Sequence, residues 1–191
     1  MNLRDLSKFD PKLWVAQKKF DGHRAHPITD IETSLSVLSR HRKPLTVSQQ
    51  IIEALKALKL PANTMLDSEW NARRASKIEE LHIFDILWFN NEWIGDKPFE
   101  DRYAIIEQMD LKPPLYIAKV YEDFLELMKS IIGDQRTEGI VLKRRGFMIQ
   151  RSLNEAKDIS SMVKIKWRDG PDGQTQVISV GPDGELNEIS K

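Results

Sequence analysis

The apolar residues of this chain gather in short runs of five to eight residues: Trp14 to Phe20, Leu35 to Ser39, Met65 to Asn71, His82 to Phe89, Leu115 to Val120, Glu138 to Arg144 and Ser161 to Trp167. Their β-branched, aromatic or alternating residues suit strands. Helical spacing appears in fewer places. Thr46 to Leu60 sets Val47, Ile51, Ile52, Leu55 and Leu58 on one face, with Thr46 as the expected N-cap, and Glu100 to Met109 and Tyr121 to Ile132 read as further helices. Asn90-Asn91 tolerates the left-handed turn of a hairpin. Strands follow strands without regular β-α-β alternation, and no glycine-rich phosphate loop occurs, which argues against Rossmann and P-loop architectures. The pattern predicts an α+β fold of mainly antiparallel sheets packed with helices.

Composition narrows the functional classes. With 191 residues, the chain has room for one domain plus an appendage. It contains no cysteine, so disulfides, zinc-thiolate sites and cysteine nucleophiles are excluded. No apolar run is long enough to cross a membrane, and the N-terminal residues lack the apolar core of a signal peptide. The cytoplasm is the expected location. The 29 basic and 29 acidic residues cancel, but unevenly along the chain. Glu79 to Leu127 carries twelve acidic residues against four basic, and Arg136 to Arg168 carries nine basic against three acidic. That asymmetry points mildly to a polyanion-binding face and is also compatible with a solvated basic strand.

The chemistry-bearing segments are Lys19-Phe20-Asp21-Gly22-His23-Arg24, Ser39-Arg40, Asp67-Ser68-Glu69, Phe84-Asp85-Ile86-Leu87, Glu138-Gly139-Ile140-Val141-Leu142-Lys143 and Val163-Lys164-Ile165-Lys166. Each falls on an expected strand or strand end. In this order they resemble the six signature elements of the covalent nucleotidyltransferases, the ATP-dependent DNA ligases, RNA ligases and capping enzymes. Ser68 stands where glycine is usual. The helix after Ser39-Arg40 and the segment from Lys143 to Trp167 look most like the small phage or bacterial DNA ligases. The resemblance implies a nucleotidyltransferase (ATP-grasp-like adenylation) fold over residues 1 to 168, with the nucleotide in the cleft between sheets and helices.

The resemblance implies a role for each element. Lys19 becomes the nucleophile that takes AMP from ATP. A lysine amine attacks phosphorus only when neutral, and its reference pKa is about 10.4, so the reaction needs nearby cations: Lys164, Lys166 and a divalent metal. Glu138 is the expected ligand of Mg²⁺, or of Mn²⁺ in its place, with Asp67 a weaker metal candidate that also suits support of Arg24. Glu138 is alternatively a partner of Lys143 or Arg136. Phe84 stacks on the purine in the resemblance, though a core aromatic satisfies the same pattern. Glu69 and Arg40 hold the ribose hydroxyls, Arg24 contacts ribose or the nucleic acid, and either arginine also reads as a surface strand residue. Gln17, on the same strand face as Lys19, meets the base and weakly prefers adenine.

The substrate implied is nicked double-stranded DNA, with Arg144, Arg145 and Arg151 on flanking phosphates. A monomer in the cytoplasm of a bacterium or a phage-infected cell is expected, with no membrane partner. RNA ligase, capping guanylyltransferase and a non-catalytic nucleic-acid-binding module are the alternatives. After Arg168 only 23 residues remain, too few for the OB-fold barrel of roughly a hundred residues that normally follows in this family. Residues 169–191 are therefore expected to form a short β-hairpin tail around Val177 to Val180, a remnant or the start of such a barrel. The chain is then either a piece holding the adenylation domain or a naturally minimal enzyme.

Overall fold

Two-residue alternation from Trp14 to Phe20 gives one face of a strand to the core and the other to the site described below. The structure, a computed structural model, describes residues 3–73, 78–149, 161–166, 177–180 and 186–189. The chain divides into two compact units, one formed by Met1–Asp21, Lys119–Arg145 and Lys157–Lys191, the other by Gly22–Ala118 and Gly146–Ala156. Among the described residues, no helix is long and apolar enough to cross a membrane.

In the first unit, β1 (Trp14–Phe20), β8 (Val120–Tyr121), β9 (Thr137–Arg144) and β10 (Met162–Lys166) form an antiparallel sheet in the order β10-β9-β1-β8. Helix α3 (Phe124–Ile131) packs on its apolar face. The helix begins where the Asp123 side chain accepts a hydrogen bond from the Glu126 N–H at 2.9 Å. Phe124, Leu127, Met128 and Ile131 recur at helical spacing and meet Ala16, Ile140, Leu142 and Ile165. Each such fully buried aliphatic side chain stabilises the unit by roughly 1.5–3 kcal/mol.

The second unit holds a mixed sheet in the order β3-β2-β4-β5-β6, built from β2 (His23–Thr29), β3 (Leu35–Ser39), β4 (Met65–Arg73), β5 (Ile78–Phe89) and β6 (Glu92–Trp93). β7 (Leu115–Ile117) pairs with β5 in parallel. Helices α1 (Gln49–Ala57) and α2 (Phe99–Glu107) belong to the same unit, and Ile51, Leu55, Phe99 and Ile106 are buried in it. β11 (Val177–Val180) and β12 (Leu186–Ile189) pair antiparallel.

Most expected elements fall where the pattern put them, and Asn90 and Asn91 take φ of 50° and 67° in the β5–β6 turn. Two expectations are corrected and one strand is added. The first helix starts at Gln49 after Ser48, not after Thr46. Leu45 is still tied to β3, its N–H donating to the Val37 carbonyl at 2.8 Å, and Leu38 bridges Pro44. Leu115 to Val120 is two strands in two sheets: the Ala118 N–H still closes the ladder to β5 by donating to the Ile83 carbonyl at 2.8 Å, whereas Val120 pairs with Gln17 of β1. β2 was not expected as a strand. Its Pro27 lacks an N–H, and it coincides with a gap in the β2–β4 ladder between Ala25↔Ser68 and Ile28↔Met65.

Candidate active site

Register alone brings the lysines of the first unit together. Lys19 of β1 lies opposite Gly139 of β9, which lies opposite Lys166 of β10. Two residues along, Gln17, Val141 and Lys164 form the next row. Side chains two apart share a face, so Gln17, Lys19, Lys164 and Lys166 all stand on the face opposite the α3 core.

Glu138 joins them through an irregularity. Lys19 pairs with Gly139 while Phe20 pairs with Thr137, so Glu138 is the extra residue of a bulge, the device that re-aims a side chain. The Lys19 ammonium donates to Glu138 Oε1, and Lys166 Nζ lies 3.1 Å from Oε2. Lys19 and Glu138 side chains are 18% and 17% exposed, Lys166 41%. Burial pushes the Glu138 carboxyl up, but the hydrogen bonds and charges of Lys19 and Lys166 outweigh it and hold it below its usual range. Gly139 makes the close approach possible. Its φ is +149°, and a Cβ there would stand 1.9 Å from the Ile165 carbonyl oxygen.

In the second unit, β2 and β4 place Arg24 opposite Glu69. Arg24 Nε donates to Asp67 Oδ1 at 2.8 Å and its Nη2 to Oδ2, a bidentate pair, with Asp67 3% and Arg24 47% exposed. Asp67 keeps the guanidinium more firmly protonated than usual. His26 Nδ1 stands 3.4 Å from Asp67 Oδ1, and burial lowers its pKa despite that carboxylate. The guanidinium carbon of Arg24 lies 5.8 Å from the centre of the part-buried Phe84 ring. Glu69 accepts from the Gly22 N–H at 3.1 Å. A Cβ on Gly22 would strike the Trp70 carbonyl oxygen at 2.5 Å, which accounts for glycine in the Lys19 signature. Ser68, at the position of the usual glycine, is fully buried and donates to the Ala25 carbonyl at 2.6 Å.

The remaining expected residues are not gathered there. Arg40 is exposed in the turn after β3. Arg144 is exposed at the end of β9, and Arg145 pairs with Glu122 of its own unit. Arg151 lies outside the described residues.

No protein-family model and no curated protein matches the chain. Solved structures do. The ligase domain of M. tuberculosis LigD aligns with a TM-score of 0.63 at 18% identity, over 84% of this chain and 55% of that one. A mycobacterial DNA ligase D complexed with ATP gives 0.64 at 19% identity, over 84% and 57%. The ATP-dependent DNA ligase of bacteriophage T7, also with ATP, gives 0.56 at 13% identity, over 100% and 78%. The chain has the ligase-domain fold. It spans little more than half the length of the LigD structures it matches.

Within this ligase fold the sequence reading overlooked a buried ion pair. Arg102 of α2 is fully buried; its Nε and Nη2 donate to Asp85 at 2.8 and 2.9 Å, and its Nη1 donates to the carbonyls of Gly95, Lys97 and Phe147. The rings of Phe99 and Phe147 lie 5.9 and 5.0 Å from its guanidinium. The available signal was an arginine with no acidic residue three or four positions away, on a helix whose other inward residues are Phe99, Tyr103 and Ile106. As for metals, no three His, Cys, Asp or Glu residues gather as ligands among the described residues. Glu138 is a single carboxylate, a donor set that suits Mg²⁺ held chiefly by phosphate oxygens and water. Both oxygens of Asp67 are committed to Arg24.

Proposed function

We propose that the chain is the adenylation domain of an ATP-dependent DNA ligase that joins nicks through a covalent lysine-AMP intermediate. The observation that carries this reading is the row Lys19–Gly139–Lys166 with Glu138 bulged onto it. Lys19 Nζ attacks the α-phosphorus of ATP, a P–N bond forms, and the bond to the β-phosphate breaks with departure of pyrophosphate. Glu138 Oε1 already accepts a hydrogen bond from Nζ and is the nearest acceptor for the proton the amine must lose. Lys164 and Lys166 supply fixed positive charge for the phosphate oxygens. Glu138 would hold Mg²⁺, which when bound adds charge neutralisation at the α-phosphate.

Further roles follow. Gln17 of the first unit recognises the base; of the second unit, Phe84 stacks on the purine and Glu69, Arg24 and Arg40 hold the ribose, with Asp67 fixing Arg24. The 5′-phosphate at the nick then attacks the lysine-linked AMP, breaking the P–N bond and freeing Lys19, and attack by the 3′-hydroxyl on the activated 5′-phosphate forms the phosphodiester with AMP leaving. The domain extends over residues 1 to 168.

The test is incubation with α-labelled ATP or GTP and Mg²⁺, followed by denaturing electrophoresis. An acid-labile, base-stable adduct formed from ATP is the expected result. Labelling by GTP alone would turn the reading to guanylyl transfer, and absence of any adduct would overturn it.

A further inference from the structure

The basic stretch from Arg136 to Arg168 is the obvious polyanion face on sequence grounds, yet much of its charge is already met within the fold. Arg136 pairs with Asp134, Arg145 with Glu122 and Lys166 with Glu138, while Lys143 is 2% exposed. A different place in the chain concentrates unmatched cations. The turn after β3 presents Arg40, His41, Arg42 and Lys43 in succession, all exposed. Among the described residues, neither Arg40, Arg42 nor Lys43 has an acidic partner.

The turn is well fixed. The Ser39 N–H donates to the Lys43 carbonyl at 2.8 Å, the Arg42 N–H returns to the Ser39 carbonyl at 2.8 Å, and Ser39 Oγ accepts from the Lys43 N–H at 3.2 Å. Leu38 bridges Pro44 below it. Arg42 sits at φ +59°, in the left-handed region. The cations therefore project from a backbone already ordered, so binding loses little chain entropy there. The turn also directly follows Ser39, which pairs with Ala25, the neighbour of Arg24. It thus stands at the edge of the sheet that carries Arg24 and Glu69.

From this we infer that Arg42 and Lys43 form a docking point for the phosphate backbone of the polynucleotide substrate. The inference rests on the ligase reading and deepens it by moving the contact away from Arg144 and Arg145. Successive phosphates of one strand are the polyanion that a row of exposed cations on a stiff turn fits best, because each guanidinium or ammonium meets a separate phosphate without desolvating a pocket. The contact positions the duplex and reads no sequence.

Binding of a nicked DNA duplex is measured by fluorescence anisotropy over a series of salt concentrations, for the full chain and for the double variant Arg42→Ala, Lys43→Ala. Each lost phosphate contact lowers the slope of log K against log salt by about 0.9. A reduction of about 1.8 is expected, with covalent labelling by ATP and the melting temperature unchanged. Arg42→Lys should keep the slope. An unchanged slope in the double variant, or a wild-type affinity independent of salt, overturns the proposal. A loss of ATP labelling with the slope intact also overturns it and assigns the turn to nucleotide phosphates. Because labelling is read separately, failure of the ligase reading shows in the wild type's lack of adduct, whereas failure of this one shows in the slope.

Discussion

Two ion-paired clusters, one in each unit, use the same chemistry at different depths. Arg102 and Asp85 are 0% and 2% exposed, and every polar arm of the guanidinium has a protein acceptor. Lys19, Glu138 and Lys166 remain 18%, 17% and 41% exposed, and one carboxylate is shared by two ammonium groups. The first cluster is closed: nothing can enter without breaking it, and its effect is on the fold. The second keeps reach into solvent and has more positive charge than its carboxylate balances. A phosphate can complete it. Depth and satisfaction, more than residue type, separate the structural pair from the one proposed to react.

The sharpest break of this comparison is Lys19→Ala. Covalent labelling should fall to background while the melting temperature stays close to wild type, since a part-exposed ion pair is worth at most about 1 kcal/mol. Substantial labelling of that variant would mean that another group is the nucleophile. Arg102→Leu should do the reverse. Leaving Asp85 buried and unpaired costs about 3–5 kcal/mol, a fall in melting temperature of roughly 6–20 °C for a chain of this size, with labelling retained by the folded fraction at low temperature. Equal losses of labelling in both variants at low temperature would erase the distinction.

Smaller effects sharpen it. Gly139→Ala must push β9 away from the Ile165 carbonyl, so a loss of about 1–3 kcal/mol and a marked fall in labelling should appear together in thermal and adduct assays. Lost stability with full labelling would show that Glu138 needs no close strand. The mildest test is pH. Lys19 and Lys166 hold the Glu138 carboxyl below its usual range, so the pairing stabilises above the ordinary carboxyl value of about 4.3 and is lost as pH falls through the lowered one. The melting temperature of wild type should exceed that of Glu138→Gln at neutral pH, and the gap should close in acid. A gap that stays constant down to pH of about 3 would place the stabilisation elsewhere.

How much of this was legible in the sequence differs between the same clusters. β1, β3, β5 and β9 announced themselves because their apolar residues alternate or are β-branched. β2 did not, since His23, Arg24 and His26 put polar residues on both its faces and Pro27 falls at a gap in its ladder with β4. Lys19, Glu138 and Lys166 could be proposed from local segments, whereas the need for glycine at Gly139 shows only in the structure. Their common row depended on pairing between strands far apart in sequence, and the bulge that aims Glu138 has no sequence signal. Arg102 and Asp85 stayed hidden because a buried pair joining a helix to a strand carries no periodic pattern, only an arginine whose partner lies 17 residues away.

The bulge opposite Lys19 also bears on how such a chain can vary in length. Upstream of it, the strand is a strict two-step count: deleting one residue between Trp14 and Lys19 would reverse the parity and turn the lysine toward Leu127 and Met128. Downstream, the ladder has already slipped by one residue between Lys19 and Phe20, so the count restarts at Asp21, whose N–H is anchored to the Arg136 carbonyl at 2.9 Å. Insertions beyond Asp21-Gly22 leave the parity of the strand that carries the amine unchanged. Length drift is therefore confined to one side of Lys19, and a library of single-residue deletions and insertions across residues 14 to 29 would trace that boundary directly.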